Sequence, residues 1–123
     1  MRYLVVLEAD QPDTPPPDSL MAAIMQLGQE AVQSGAMIDN AALAPSAAGA
    51  KVTLDDGGLT ITDGPFAESK EMISYAIYDT RTKEEAVEWA RRFLDLHAEH
   101  WPGWHGEARV LKVFGPEDTP GPE

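Results

Sequence analysis

The 123 residues of this chain suit one domain and are enough to bury a core without disulfides or a structural metal. The sequence has no cysteine, which excludes thiol chemistry, and its formal net charge of −12 argues against nucleic acid as a partner. No signal peptide and no membrane-spanning apolar run is evident, so we expect a cytoplasmic protein without a membrane partner.

The first part of the chain predicts a strand, a helix and a second strand. Residues 2–8 are apolar on both faces of an alternating pattern, which is typical of a strand covered on both sides. Residues 19–34 have helical period, with Asp18 or Ser19 as the expected N-cap, and residues 36–43 predict a short strand. The apolar stripe of this helix consists of Leu20, Ile24, Leu27 and Ala31.

A β-hairpin is the clearest local signal. Apolar and polar residues alternate across residues 50–62, on either side of an Asp-Asp-Gly-Gly sequence at 55–58. An Asp-Gly pair fits the positive φ that tight hairpin turns require. Residues 71–80 then predict another strand that is apolar on both faces.

The last part of the chain predicts a second helix and a final strand. Thr82 and Glu85 form a capping-box pattern at the start of the helix. Pro102 and Gly103 break the helical pattern, and residues 107–114 predict a strand. The apolar stripe of the second helix consists of Ala86, Ala90, Phe93 and His97.

This order of elements predicts an α+β domain over residues 1–115: a ferredoxin-like split βαβ with an antiparallel sheet and an inserted hairpin. Residues 116–123 form an acidic tail rich in Pro and Gly, which we expect to be disordered. Two helices cover only one face of such a sheet, although two of its strands are apolar on both faces. We therefore expect a second copy of the chain to cover the other face, giving a homodimer through the sheet face.

Several stretches of the sequence resemble the DGPF group of the YCII-related family. They are DGPFAESKE at 63–71, MRYLVVLEAD at 1–10, GAMIDNAALAP at 35–45 and KEEAVEWARRF at 83–93. The resemblance covers about residues 1–116 and implies a dimeric α+β barrel of ferredoxin-like units, but no particular reaction. It also implies a His–Asp pair with its histidine in the first helix. The first helix here has no histidine, so that pair is not carried over.

The stretch TDGPFAESKE at 62–71 permits two interpretations. In the functional one, Asp63 is a general base or a ligand-binding carboxylate, Gly64 admits a ligand close to the backbone, and Phe66 walls a pocket. The same candidate ligand-binding set includes Pro65, Glu68 and Lys70. In the structural one, Asp63 forms an Asx-type turn, the Gly-Pro pair sets a corner, Phe66 plugs the barrel end, and Lys70 and Glu71 face water.

Three histidines and two tryptophans lie between residues 97 and 105. His97 and His100 are about one helical turn apart and are candidate catalytic partners of Asp63. Trp101 and Trp104 are candidate ligand-binding residues at the rim of a pocket or of an interface.

The same segment has two other interpretations. His97 and His100 could hold a metal together with His105 or Glu99, but no fourth ligand or second shell is evident. His97 also lies on the apolar stripe, where a hydrogen-bonded core histidine is common. We therefore expect no metal and no cofactor.

Three functions fit these observations. The leading hypothesis is a small-molecule-binding homodimeric domain, which needs an apolar pocket with few polar groups. The second is a cofactor-independent acid–base enzyme that uses Asp63 and a histidine from 97–105, which must come within hydrogen-bond reach in the same chain or its partner. The third is a regulatory protein-interaction module, which needs an exposed apolar patch.

Overall fold

The computed structural model describes residues 1–10, 14–66 and 70–115, and within them it shows an α+β fold with two helices and antiparallel sheets. The strands are β1 Arg2–Ala9, β2 Met37–Ala42, β3 Ala50–Asp55, β4 Gly58–Asp63, β5 Glu71–Asp79 and β6 Gly106–Val113. The helices are α1 Asp18–Gln33 and α2 Lys83–His100, and a short 3₁₀ turn spans Ser46–Ala48. This order confirms the one that the sequence predicts. The tail at 116–123 lies outside the described residues.

Four strands form one antiparallel sheet in the order β2-β5-β1-β6, consistent with a ferredoxin-like fold. On its covered face, Val5 of the central strand β1 lies opposite Ala76 and Val110. Ala31 of α1 and Ala90 of α2 pack against this face and are almost completely buried. Their small side chains allow both helices to approach the sheet closely at these two points.

The second face of the sheet carries the alternate residues of the same strands. Leu4 lies opposite Ile77 of β5 and Leu111 of β6. Neither helix of the described residues covers this face, and Leu111 is 49% exposed. Both faces of β1 and β5 are therefore apolar, as the sequence indicates. Within the described part of the chain, the helices cover only one of these faces.

The hairpin is a separate two-stranded sheet formed by β3 and β4. Asp56 and Gly57 at its tip have φ of 49° and 78°, which confirms the expected turn with two left-handed residues. Every residue of both strands is exposed. The hairpin therefore projects from the body of the chain.

The start of α1 differs from the expectation that Asp18 or Ser19 caps it. The N-cap is Pro17, whose carbonyl oxygen accepts hydrogen bonds from the N–H groups of Leu20 and Met21 at 3.1 and 3.2 Å. A proline fixes φ near the value that this entry into the helix needs, so the helix begins without a side-chain cap. Asp18 instead lies in the first turn, where its negative charge favours the helix N-terminus.

The capping pattern at α2 is confirmed at its N-cap. The Glu85 N–H donates to the Thr82 hydroxyl at 3.2 Å, and the Glu85 carboxylate accepts from the Arg81 N–H at 3.3 Å. At the other end, Gly103 has a φ of 88° and reverses the chain, as the break at Pro102 predicts. Neither α1 nor α2 is long and apolar enough to cross a membrane.

Candidate functional site

A cavity of about 490 Å³ lies between the two helices and the covered face of the sheet. Its apolar wall includes Val5, Leu7, Leu20, Ile24, Leu27 and Phe93. Its uncharged polar wall includes Gln29, Asn40, Ser74, Tyr78 and His97. No Asp, Glu, Lys or Arg of the described residues lines it. The cavity is thus an apolar space with a few neutral polar groups.

Small residues on the facing surfaces keep this space open. Gly28 lies in the middle of α1 on the side that faces the cavity, and a Cβ built on it would meet no heavy atom within 4 Å. Across the cavity, the sheet contributes Ala76, and α2 contributes Ala90. Larger side chains at these positions would occupy volume that the chain leaves free.

His97 is a deeply buried histidine of the cavity wall, with only 5% of its surface exposed. Its Nδ1 lies 2.9 Å from the carbonyl oxygen of Phe93. A carbonyl oxygen only accepts hydrogen bonds, so Nδ1 carries the proton in the neutral ring. Burial lowers the pKa of His97 below its ordinary value, and the hydrogen bond to Phe93 only partly offsets this effect. The neutral imidazole therefore dominates near pH 7.

The end of α2 and the turn after it form an aromatic wall, defined by Phe93, His97, Trp101 and Trp104. Phe93 meets the His97 ring edge-on at a centroid distance of 4.8 Å, and the Trp104 indole lies 4.4 Å from the same ring. Trp101 stacks on Trp104 at 6.3 Å. The positive φ of Gly103 turns the chain back and places Trp104 over His97.

Gly106 completes this wall by having no side chain. A Cβ at Gly106 would lie 2.6 Å from the Trp104 ring and 2.8 Å from the carbonyl oxygen of Glu8. The indole therefore packs directly against the backbone at the start of β6. The sequence predicted Trp101 and Trp104 at a rim, and the structure places both on the cavity wall together with His97.

The DGPF segment lies elsewhere, at the base of the hairpin. The Gly64 N–H donates to the Gly49 carbonyl oxygen at 2.9 Å, and the bond between Gly64 and Pro65 is cis. The Phe66 N–H donates to the Ser46 hydroxyl at 3.3 Å. None of these residues lines the cavity. Their described contacts are those of a packed corner.

Ser46 links this corner to the main sheet. The carboxylate of Glu71 accepts hydrogen bonds from the Ser46 N–H at 3.1 Å and from the Ser46 hydroxyl at 2.7 Å. The expectation that Glu71 faces water is therefore wrong, because this side chain is half-buried and bonded. Ser46 was missed by sequence reasoning, since a serine in a loop of small residues carries no signal of a distant partner.

The remaining candidates of the segment are spread apart. Asp63 is exposed and has no side-chain hydrogen bond or ion pair with any described residue. The Lys70 ammonium lies 2.6 Å from the Glu107 carboxylate, and this ion pair raises the pKa of Lys70 and lowers that of Glu107. Glu68 lies outside the described residues.

The histidines do not come together with Asp63 in one chain. His100 has the Glu99 carboxylate at 4.0 Å and His105 has that of Asp10 at 3.8 Å. No described contact joins a histidine to Asp63, so an acid–base pair of these groups would need a partner subunit. No cluster of three or more His, Cys, Asp or Glu side chains suited to a metal forms among the described residues.

The model of the YCII-related domain matches residues 1–97 of the sequence. The chain belongs to the YCII-related family. Within this YCII-related chain the match ends at His97, so Trp101, Trp104 and β6 lie beyond it. Assignment to the DGPF group rests on the motif and stays a prediction.

A relative of this YCII-related protein is the Rhizobium meliloti (strain 1021) protein named uncharacterized protein R00369. The two are 28% identical over 104 residues, which cover 84% of this chain and 82% of the relative. The name of this relative states no activity.

Proposed function

We propose that this YCII-related protein is a cytoplasmic homodimer that binds a small molecule in the cavity between its helices and its sheet. The cavity itself carries the proposal. A volume of about 490 Å³, lined by apolar groups with a few neutral polar ones, has the size and composition of a ligand site.

The chain maintains the cavity with residues that reduce the stability of an unoccupied protein. A glycine in a helix interior costs about 0.5–1 kcal/mol relative to alanine, and Gly28 has space for a side chain. Apolar walls without contacting atoms also lose dispersion energy. A bound ligand would restore those contacts, which gives the empty volume a function.

Blocking the cavity tests the proposal. We expect toluene, a small apolar probe, to bind saturably to the wild-type protein and to change the fluorescence of the aromatic wall. Gly28→Leu should fill the space and abolish this binding, while the far-ultraviolet circular dichroism stays that of the wild type. Ala22→Leu is the matched control, because Ala22 is an exposed residue of the same helix. Equal binding by all three proteins, or none by the wild type, would contradict the proposal.

The homodimer is supported by the second face of the sheet. This face presents apolar residues of three strands, including the half-exposed Leu111, without a cover among the described residues. Burying such a surface against a second copy would remove apolar area from water. The resemblance to dimeric α+β barrels suggests the same arrangement.

The hairpin offers a further apolar surface to the second copy. Val52 lies opposite Ile61 and Leu54 opposite Leu59, so the four side chains share one side of the ribbon. They are 63–73% exposed. A partner that covers the second face could also cover this stripe.

Charge substitution tests the dimer. We expect light scattering at micromolar concentration to give twice the mass of one 13.4 kDa chain. Leu111→Lys should shift the equilibrium towards monomer, because it places a charge in the proposed interface. Val87→Lys is the control, since Val87 is a similarly exposed apolar residue on α2. A monomeric wild type would contradict the homodimer but not ligand binding.

A further inference from the structure

The wall of the cavity restricts the charge of a ligand. None of the described residues that line it is acidic or basic apart from His97, whose ring is neutral near pH 7. An ionised ligand would therefore lose its hydration without meeting an opposite charge. The net charge of −12 would further disfavour an anion. An uncharged ligand avoids these penalties.

The orientation of His97 restricts the polar group of the ligand. The Nδ1–H group of His97 donates a hydrogen bond to the Phe93 carbonyl oxygen, so Nε2 of the neutral ring has a lone pair that can accept one. Nε2 has no hydrogen-bond partner among the described residues. Yet no side-chain nitrogen or oxygen of the described residues is both sealed from solvent and unpaired. Nε2 is therefore not sealed from solvent, and the ring that carries it lines the cavity.

We infer that the ligand is an uncharged, largely apolar molecule that donates one O–H or N–H hydrogen bond to Nε2 of His97. This inference rests on the proposed function and names the chemical class that the same cavity accepts. The apolar wall would bury the body of the molecule, and the aromatic wall would surround its polar end beside His97. A simple phenol has these properties.

The test compares phenol with toluene, two probes of similar size that differ in the hydrogen-bond donor. A neutral hydrogen bond contributes about fivefold in affinity. The dissociation constant of phenol divided by that of toluene should therefore be about fivefold higher in His97→Phe than in the wild type. Fluorescence titration measures both constants. His100→Phe is the control, because His100 lies on the same helix but not on the cavity wall. Its ratio should equal that of the wild type.

A second measurement uses the unaltered protein, in case His97→Phe does not fold. Nitrogen-15 spectra of the histidine side chains should show the Nδ1–H tautomer of His97, and saturating phenol should move the Nε2 resonance whereas toluene should not. If both probes bind but the affinity ratio or the Nε2 resonance is unaffected, the inference is overturned and the proposed function stands. Benzoate binding as tightly as phenol would also overturn it. If neither phenol nor toluene binds, the proposed function fails as well.

Discussion

The carbonyl oxygen of Ser46 lies 1.7 Å from the position that a Cβ on Gly64 would occupy. The two backbones therefore touch directly, and only glycine fits at position 64. The contact is reinforced by the hydrogen bond from the Gly64 N–H to the Gly49 carbonyl oxygen. This contact packs the base of the hairpin against the 3₁₀ turn. It explains on structural grounds why the DGPF segment has glycine at position 64.

Gly64→Ala should therefore destabilise the protein by about 1–3 kcal/mol, because the backbone of the turn must shift to admit a methyl group. Urea unfolding measures the change. Gly49→Ala is the control, since its Cβ would lie 3.6 Å from the Ser46 oxygen at an ordinary van der Waals distance. Equal effects of the two substitutions would contradict the close contact.

Gly28→Ala should stabilise the protein by about 0.5–1 kcal/mol, because it removes backbone freedom from the unfolded chain and meets no neighbour. The free energy of unfolding in urea gives the value. Gly106→Ala provides the contrast, because its methyl group would collide with Trp104 and the Glu8 carbonyl oxygen. A loss of stability in Gly28→Ala would show that the space beside α1 is not free.

Asp63→Asn should leave toluene and phenol affinity unchanged, because Asp63 is exposed and does not line the cavity. Titration of the variant beside the wild type measures this. Gly28→Leu serves as the positive control for lost binding. A tenfold weaker affinity in Asp63→Asn would place the DGPF segment in the ligand site and would contradict the site assigned to the cavity.

The free energy of unfolding should decrease as the pH is lowered past about 6.5, because the folded state lowers the pKa of His97. The unfolded histidine binds a proton first as the pH falls, which favours unfolding. This loss is absent above the unfolded pKa and grows as the pH falls towards the lowered folded pKa. In His97→Phe, the unfolding free energy should therefore depend less steeply on pH between about 7.5 and 5.5.

His100→Phe is the control for this pH dependence. Carboxylates titrate at lower pH, so they contribute little to the slope in that range. An unchanged slope in His97→Phe would contradict the burial of a neutral His97 in the folded protein.

Local residue patterns were sufficient to predict most of the fold. The turn at Asp56 and Gly57 and the cap at Thr82 depend on residues a few positions apart, so their signals lie within short windows of sequence. The predicted N-cap of α1 was wrong, because the N-cap is Pro17, whose fixed φ suits the entry into the helix without a side-chain hydrogen bond. Choosing between Pro17 and its polar neighbours requires the entry angle of the chain.

The cavity could not be predicted, because its volume depends on the distance between packed helices and a sheet. Its one local signal was Gly28, a glycine inside an otherwise regular helical pattern. The bond from Ser46 to Glu71 was equally hidden, since it joins a loop to a distant strand. Trp101 and Trp104, predicted at the rim of a pocket or of an interface, lie on the cavity wall. The DGPF residues of the same candidate ligand-binding set lie at the hairpin base instead.

The most direct measurement is a methyl NMR titration of the protein with toluene. Saturable shifts should appear at the methyl groups of Ile24 and Leu27 on the cavity wall, remain absent at the exposed Val87, and disappear in Gly28→Leu. Shifts that do not saturate, or that persist unchanged in Gly28→Leu, would contradict a ligand site between the helices and the sheet.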